Sequence, residues 1–256
     1  PGIALYNIPI ALRLKGNLNT DALERTINTL IQRHESLRTT FPSTKGEANQ
    51  VILPNFTIDL TKCSVNFTRL EENEKITNIE SIAQEEANTP FNLSTGPLIR
   101  VKLLLLSKEE HALLITMHHI ISDGWSMGIF FQELSELYNS YLQGVEPNLP
   151  ELPIQYADFA LWQRGWLQGD VLGTQLSYWK EQLSDIPDLL ELPTDKSRPK
   201  ELTYKGASYH YSLPKEIKEQ LNQLSQQQGC SLFMTLLALF QVLLYRYTGQ
   251  RDIVVG

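Results

Sequence analysis

The stretch Met117-His118-His119-Ile120-Ile121-Ser122-Asp123-Gly124-Trp125-Ser126 decides how this chain is organised. It follows an apolar run at residues 111–117, which predicts a buried strand, and it leads into residues 125–142, whose apolar periodicity predicts an amphipathic helix. The chain has five histidines, and two of them are adjacent here. A polar cluster between a strand and a helix is a common place for chemistry, so this stretch is the candidate site.

The two histidines are expected to have different tasks. Successive side chains of a strand point to opposite faces, so His118 and His119 cannot both serve one small site. One would face a cavity and the other would pack inside. A single histidine suits proton transfer during attack on an acyl carbon, because its reference pKa of ~6.5 lies near neutrality. A metal site using His119 and Asp123 is disfavoured, since they straddle a strand-to-helix turn and no Cys or Glu stands nearby.

Asp123 and Gly124 each allow several interpretations. Asp123 could orient the loop, cap the following helix or pair with an arginine, for which Arg33 and Arg38 are the candidates. Capping or an internal salt bridge is favoured over direct catalysis, because an Asp before a helical run needs no other explanation. Gly124 would let the backbone approach a ligand closely, or would supply an amide at the helix start.

Composition limits the classes of protein. The chain has 256 residues, of which 42% are hydrophobic and 20% charged, as in ordinary soluble globular proteins. Its net charge of −7 argues against nucleic acid or an anionic membrane as the main partner. Cys63 and Cys230 form neither a disulfide framework nor a zinc pattern, which predicts a reducing compartment, the cytoplasm. There is no stretch long enough to span a membrane and no signal peptide.

The pattern of elements predicts a mixed α and β fold with a proline-rich linker at residues 186–204. Pro1 is not a natural start and residues 252–255 look like a strand that continues, so the chain is interpreted as a fragment. The predicted strands are residues 6–14, 50–53, 57–60, 98–106, 112–118, 206–213 and 252–255. The predicted helices are residues 20–36, 71–88, 125–142, 155–184 with an interruption near 165–173, 214–228 and 232–247.

Four motifs make the chain similar to the condensation domain of nonribosomal peptide synthetases. The family's HHxxxDG signature stands at residues 118–124 as HHIISDG. RHESLRTTF at residues 33–41, YADFALW at 156–162 and GQRDIVVG at 249–256 match three further family segments. The opening YNIPIALRL resembles the subtype that joins an L-configured donor to an L-configured acceptor. The family's first segment and most of its second subdomain lie outside this chain.

The resemblance implies an α/β (α+β) fold similar to chloramphenicol acetyltransferase, in which two subdomains with mixed sheets and flanking helices enclose a tunnel. Residues 1–185 would form most of the N-terminal subdomain, residues 186–204 a linker, and residues 205–256 the start of the C-terminal subdomain. It also implies peptide-bond formation: the amine of an acceptor thioester attacks a donor thioester. Both substrates would hang on the 4′-phosphopantetheine arms of upstream and downstream carrier proteins, beside an adenylation domain of the same multidomain chain. No intrinsically bound cofactor is implied.

The resemblance also assigns residues. His119 matches the catalytic position, where it would position or deprotonate the amine or stabilise developing charge. The residues that match supporting positions are His118, Asp123, Gly124, Arg33 and Arg38, with Gly124 beside the acceptor channel. The substrate-channel candidates are Trp125, Ser126, Tyr156 and Trp162.

Three rival functions stay open. An epimerisation domain has the same fold and the same HHxxxDG, although RHESLRTTF and YADFALW match the condensation forms better. A free-standing acyltransferase that uses coenzyme A would also fit the signature. A catalytically inactive carrier-docking module is disfavoured by the intact His119, yet the fragment alone could be inactive because half of the tunnel wall would be absent.

Overall fold

The chain forms two compact units, Pro1–Trp166 and Leu167–Gly256. The computed structural model describes residues 3–187, 189–197, 199–200, 206–207 and 209–255. The linker at residues 186–204 stays a prediction, and its residues 188, 198 and 201–204 lie outside the described residues.

The first unit is built on a four-stranded mixed sheet. Its strands are β1 (Asn7–Lys15), β2 (Thr39–Thr40), β3 (Ser43–Thr44), β4 (Glu47–Ala48), β5 (Val51–Ile52), β6 (Ser64–Asn66), β7 (Ile99–Leu105) and β8 (Glu110–His118). The large sheet has the order β1-β8-β7-β6, while β2 pairs with β5 and β3 with β4. β8 is antiparallel to both of its neighbours, and β6 is parallel to β7. The predicted β7–β8 hairpin is therefore confirmed.

The helices follow the predicted order. They are α1 (Thr20–Arg33), α2 (Glu72–Asn88), α3 (Gly124–Gln143) and α4 (Tyr156–Trp166) in the first unit, and α5 (Gly169–Gln182), α6 (Lys215–Gln227) and α7 (Leu232–Thr248) in the second. The side chain of Asn19 caps α1 by accepting from the Ala22 amide at 2.9 Å. Gly249 ends α7 in the left-handed conformation, with a φ of 72° that favours glycine.

Helices cover both faces of the sheet, which explains why β8 lacks polar alternation. Every residue from His111 to His118 is buried. Leu113, Ile115 and Met117 join a core with apolar residues of α1 and α3. Ala112 and Leu114 face the other way and join a second core, against which α2 packs. A strand covered on both faces is apolar at consecutive positions.

Several short strand predictions are wrong. Residues 57–60 do not form a strand, because polar side chains of α1 bind their backbone: Asn28 pairs with both the amide and the carbonyl of Ile58, and Glu24 accepts from the Leu60 amide. In the second unit, no strand occurs at the described residues 206–207, 209–213 and 252–255. Residue 208 of the predicted strand 206–213 lies outside the described part.

Within the described ranges, no single helix is both long and apolar enough to cross a membrane. The pair α6 and α7, bent by 105°, meets that criterion jointly by length and composition alone.

Candidate active site

The two histidines at the end of β8 differ in burial, as the pleat predicts, although both line the first of the cavities described below. His118 ends β8 opposite Asn7 and is only 7% exposed, whereas His119 is exposed. The His119 amide still donates to the Tyr6 carbonyl at 2.8 Å, which continues the β1–β8 pairing by one residue. His118 therefore lies on the α2 face together with Ala112 and Leu114, and His119 is free to meet a substrate.

His118 shapes the turn that carries His119. Its Nδ1 accepts a hydrogen bond from the Ile120 amide at 3.0 Å, so the proton of the neutral ring is on Nε2. Phe91 meets the imidazole edge-on at 6.1 Å between ring centroids, and Tyr6 lies at 6.0 Å. Burial lowers the pKa of His118, and charge on the neighbouring His119 lowers it further. His118 is thus held neutral as a hydrogen-bond acceptor for the turn.

Asp123 caps α3, which confirms the capping interpretation. Its Oδ1 accepts from the Ser126 amide at 2.8 Å, and the Asp123 amide donates to Ser126 Oγ at 2.8 Å. This reciprocal pair is a capping box. The hydrogen bonds from the Ser126 amide and hydroxyl, followed by one from the Trp125 amide, hold the pKa of Asp123 below its usual value.

The alternative interpretation, an ion pair of Asp123 with Arg33 or Arg38, is not found among the described residues. Arg33 instead binds Glu133 of α3 through Nε, at 3.2 Å to each carboxylate oxygen. Arg38 donates to the Leu53 carbonyl at 2.8 Å and lies 3.4 Å from a carboxylate oxygen of Glu35. Both arginines consequently hold the segment after α1 in place and leave Asp123 to its capping role.

Two cavities meet at His119. The first, of about 650 Å³, has mainly apolar walls. It is lined by Ile3, Tyr6, Phe91, Leu93, His118, His119 and Ile120. The second, of about 390 Å³, also has mainly apolar walls but includes several hydroxyl groups and the amide of Gln50. It is lined by Ser36, Thr39, Phe41, Gln50, His119, Ile120, Ile121, Ser122, Asp123, Ser126, Tyr156 and Ala160. An imidazole between two cavities can contact two substrates at once.

The four channel candidates divide into two pairs. Ser126 and Tyr156 line the second cavity, and their role in a substrate channel stays a prediction. Trp125 is 83% exposed and Trp162 stacks on Trp166 at 5.5 Å, and neither lines the two cavities at His119. Their contact with a substrate stays a prediction.

A family model of the condensation domain matches residues 2–256 of the chain. The chain belongs to the condensation-domain family. It is 50% identical over 256 residues to a linear gramicidin synthase protein of Brevibacillus parabrevis, covering all of this chain and 3% of that protein. It is 43% identical over 252 residues to malpibaldin synthetase of Mortierella alpina, covering 98% of this chain and 4% of that protein. The chain therefore spans a small part of the synthetases that it matches.

Solved structures confirm the predicted fold class. The X-domain from teicoplanin biosynthesis superposes with a TM-score of 0.83 at 29% identity, over 94% of this chain and 53% of that one. The condensation domain described here accordingly has a chloramphenicol-acetyltransferase-like α/β fold with a mixed sheet and flanking helices.

Sequence reasoning missed several residues of this condensation domain's site. Tyr6 and Phe91 line the first cavity, and Thr39 and Gln50 line the second. Thr39 belongs to the RHESLRTTF motif, which could have indicated it, whereas Phe91 lies outside the four matched motifs. Gly124 is the first residue of α3, and a Cβ added there would meet open space within the described residues. Packing in this unit therefore does not require a glycine.

Proposed function

We propose that this condensation domain forms a peptide bond between two carrier-bound thioesters. The acceptor aminoacyl thioester would supply the amine, and the donor aminoacyl or peptidyl thioester would supply the acyl carbon. The observation that carries this proposal is the exposed His119 side chain at the border of two cavities. A condensation needs one reacting group on each side of its catalytic residue, and proximity of that kind is itself a large part of catalysis.

His119 is the proposed catalytic residue. As the amine nitrogen bonds to the donor carbonyl carbon, it must lose a proton, and the carbon–sulfur bond of the donor thioester breaks. A neutral imidazole can accept that proton directly from the nitrogen or hold the amine in position for attack. The thiol of the donor arm leaves with a proton, and the new amide stays on the acceptor arm.

Both cavities have mainly apolar walls, and the second presents more hydrogen-bonding side chains than the first. Ser36, Gln50 and Tyr156 supply hydrogen-bonding groups to the second cavity, which is consistent with an amine-bearing acceptor. Tyr6, Phe91 and Leu93 make the first cavity suitable for an acyl chain. The opening strand YNIPIALRL supports the subtype that joins two L-configured residues.

The partners follow from the reaction. Both substrates would arrive on 4′-phosphopantetheine arms of an upstream and a downstream carrier protein. An adenylation domain in the same cytoplasmic synthetase would load them. The products would be nonribosomal peptides of antibiotic or other secondary metabolism, since the relatives are synthetases named for such peptides.

The test uses the parent synthetase with its two carriers loaded with different aminoacyl groups. Mass spectrometry of the carriers should detect a dipeptidyl thioester on the downstream carrier. His119→Ala should lower its rate about 100-fold or more, in line with loss of a general base. His210→Ala, which changes an exposed histidine of the second unit, is the matched control and should keep the wild-type rate.

The rival functions give different products in the same assay. A donor of inverted configuration without amide formation would establish an epimerase. Equal rates with coenzyme A thioesters and with carriers would establish a free-standing acyltransferase. A wild-type rate for His119→Ala would refute the catalytic role of this residue.

A further inference from the structure

We infer that Arg100 is a positioning residue for the turn that bears His119, and that it acts through Phe91 and His118; this inference rests on the proposed function. Arg100 lies on β7 opposite Thr116 of β8. It does not line either cavity at His119, so any effect on catalysis must pass through its neighbours.

The guanidinium of Arg100 is fixed in one plane at the C-terminal end of α2. Its Nε donates to a carboxylate oxygen of Glu86 at 2.9 Å. Its Nη2 donates to the carbonyls of Glu86 and Thr89, both at 2.8 Å. A planar fork of donors can satisfy these acceptors together, which the single ammonium of a lysine cannot do with the same geometry.

That plane lies against the ring of Phe91. The central carbon of the guanidinium is 3.9 Å from the ring centroid, a cation–π contact. Phe91 is only 6% exposed, and its ring presents an edge to His118 with an angle of 82° between the ring planes. The three side chains thus form a continuous row from α2 to the end of β8.

His118 connects Phe91 to the turn that bears His119. The His118 ring lies between Phe91 and Tyr6 in an orientation that lets Nδ1 accept the hydrogen bond from the Ile120 amide. Ile120 and His119 are the two residues that border both cavities. A rotation of the His118 ring would release the Ile120 amide and move the catalytic imidazole relative to the cavities.

Other contacts already anchor α2, so Arg100 is not needed for that purpose. Lys102 lies 2.8 Å from the second carboxylate oxygen of Glu86 and neutralises its charge. The Asn7 side chain donates to the carbonyls of Ala87 and Thr89 at 2.8 and 2.9 Å. Neither Lys102 nor Asn7 binds the Glu86 carbonyl or stacks on Phe91; Arg100 does both, and only the second contact leads towards His118. Variants of Arg100 should therefore fold.

The experiment measures dipeptide formation by the parent synthetase carrying Arg100→Met, Arg100→Lys, Phe91→Leu and the double change Arg100→Met with Phe91→Leu. Arg100→Met should lower kcat about tenfold or more and leave the KM for both carriers unchanged, because a misplaced catalytic group affects the transition state and not carrier docking. Arg100→Lys should be similarly impaired, since it keeps the charge and loses the planar stack. Arg13→Met is the matched control: it removes the ion pair between the exposed Arg13 of β1 and Glu110 of β8, and it should keep the wild-type kcat.

The double variant shows whether Arg100 acts on the turn through Phe91 or whether the two residues affect kcat independently. If Arg100 acts through Phe91, the double variant should be no slower than the slower single variant. Losses that multiply would overturn the inference, and so would a wild-type kcat for Arg100→Met or full activity of Arg100→Lys. If the wild-type synthetase forms no dipeptide, the proposed function fails. If it does and the Arg100 variants equal it, this inference alone fails.

Discussion

Glu133 of α3 gives the sharpest test of how the first unit is held together. It is 7% exposed and accepts two hydrogen bonds from Arg33 Nε and one, of 2.6 Å, from His34 Nε2. Glu133→Gln keeps the shape of the side chain and removes its negative charge. The NH₂ group of glutamine replaces one carboxylate oxygen, and as a donor it cannot accept a hydrogen bond from Arg33 or His34. Charge-assisted hydrogen bonds contribute about 1.5–3 kcal/mol each, and breaking a buried ion pair costs about 3–5 kcal/mol.

The expected loss lies towards the lower end of that range. The Arg33 side chain is 16% exposed and also donates to the Pro150 carbonyl, so it keeps one partner after the substitution. We therefore expect Glu133→Gln to lower the free energy of unfolding by about 2–3 kcal/mol. The effect should appear in the first unit, because the interaction joins α1 to α3.

Urea unfolding followed by tryptophan fluorescence measures this change, since three of the four tryptophans belong to the first unit. Glu136→Gln is the matched control on the same helix. Glu136 is exposed, and its substitution should change the free energy of unfolding by less than about 0.5 kcal/mol. If Glu133→Gln were as mild as this control, the pairing with Arg33 and His34 would contribute nothing and the reasoning would be refuted.

Three further predictions concern stability. Asp123→Ala should lower the free energy of unfolding by about 1 kcal/mol, because it removes the cap of α3. Asp123→Asn should lower it by less than about 0.5 kcal/mol, because the amide oxygen still accepts a hydrogen bond. Equal losses for the two variants in urea unfolding would contradict the capping role. For Glu86, burial raises the pKa but hydrogen bonds from Lys102 and Arg100 outweigh it, so the net pKa is lowered from 4.5. The stability advantage of wild type over Glu86→Gln should therefore be present above about pH 4.5 and disappear as the pH falls through the folded pKa, and a difference that stays constant down to pH 3 would rule this out. Leu113→Ala at the centre of the sheet should cost about 2–5 kcal/mol in the same assay, and a loss below about 1 kcal/mol would show that the site collapses around the gap.

The parts of the fold that sequence predicts well are those in which burial dictates the pattern. β8 is apolar without interruption because α1 and α3 cover one face and α2 covers the other. The buried stripe of α1, Leu23, Ile27, Leu30 and Ile31, repeats at helical spacing. In such elements the solvent and the core impose the period, so no distant contact is needed to recognise them.

Residues 57–60 show where local pattern fails. Their sequence is compatible with a strand, but side chains of Asn28 and Glu24 take over the backbone hydrogen bonds. A hydrogen bond between a side chain and a backbone group about 30 residues away produces no periodic pattern in the sequence of either segment. The same applies to the site: pleat alternation predicts the separation of His118 from His119, whereas the walls of the two cavities come from segments far apart in the chain.

Burial explains why Arg33 pairs with Glu133 and not with Asp123, although both carboxylates carry the same charge. Asp123 is exposed, so water can solvate its carboxylate, and the Ser126 amide and hydroxyl also bind it. Glu133 is buried, and without a cation it would retain a desolvated charge at a cost of several kcal/mol, about 3–5 kcal/mol when one partner of a buried pair is removed. A cation lowers the free energy more beside the buried carboxylate of Glu133 than beside the exposed carboxylate of Asp123. Arg33 therefore binds Glu133, and the signature aspartate is left to begin the helix.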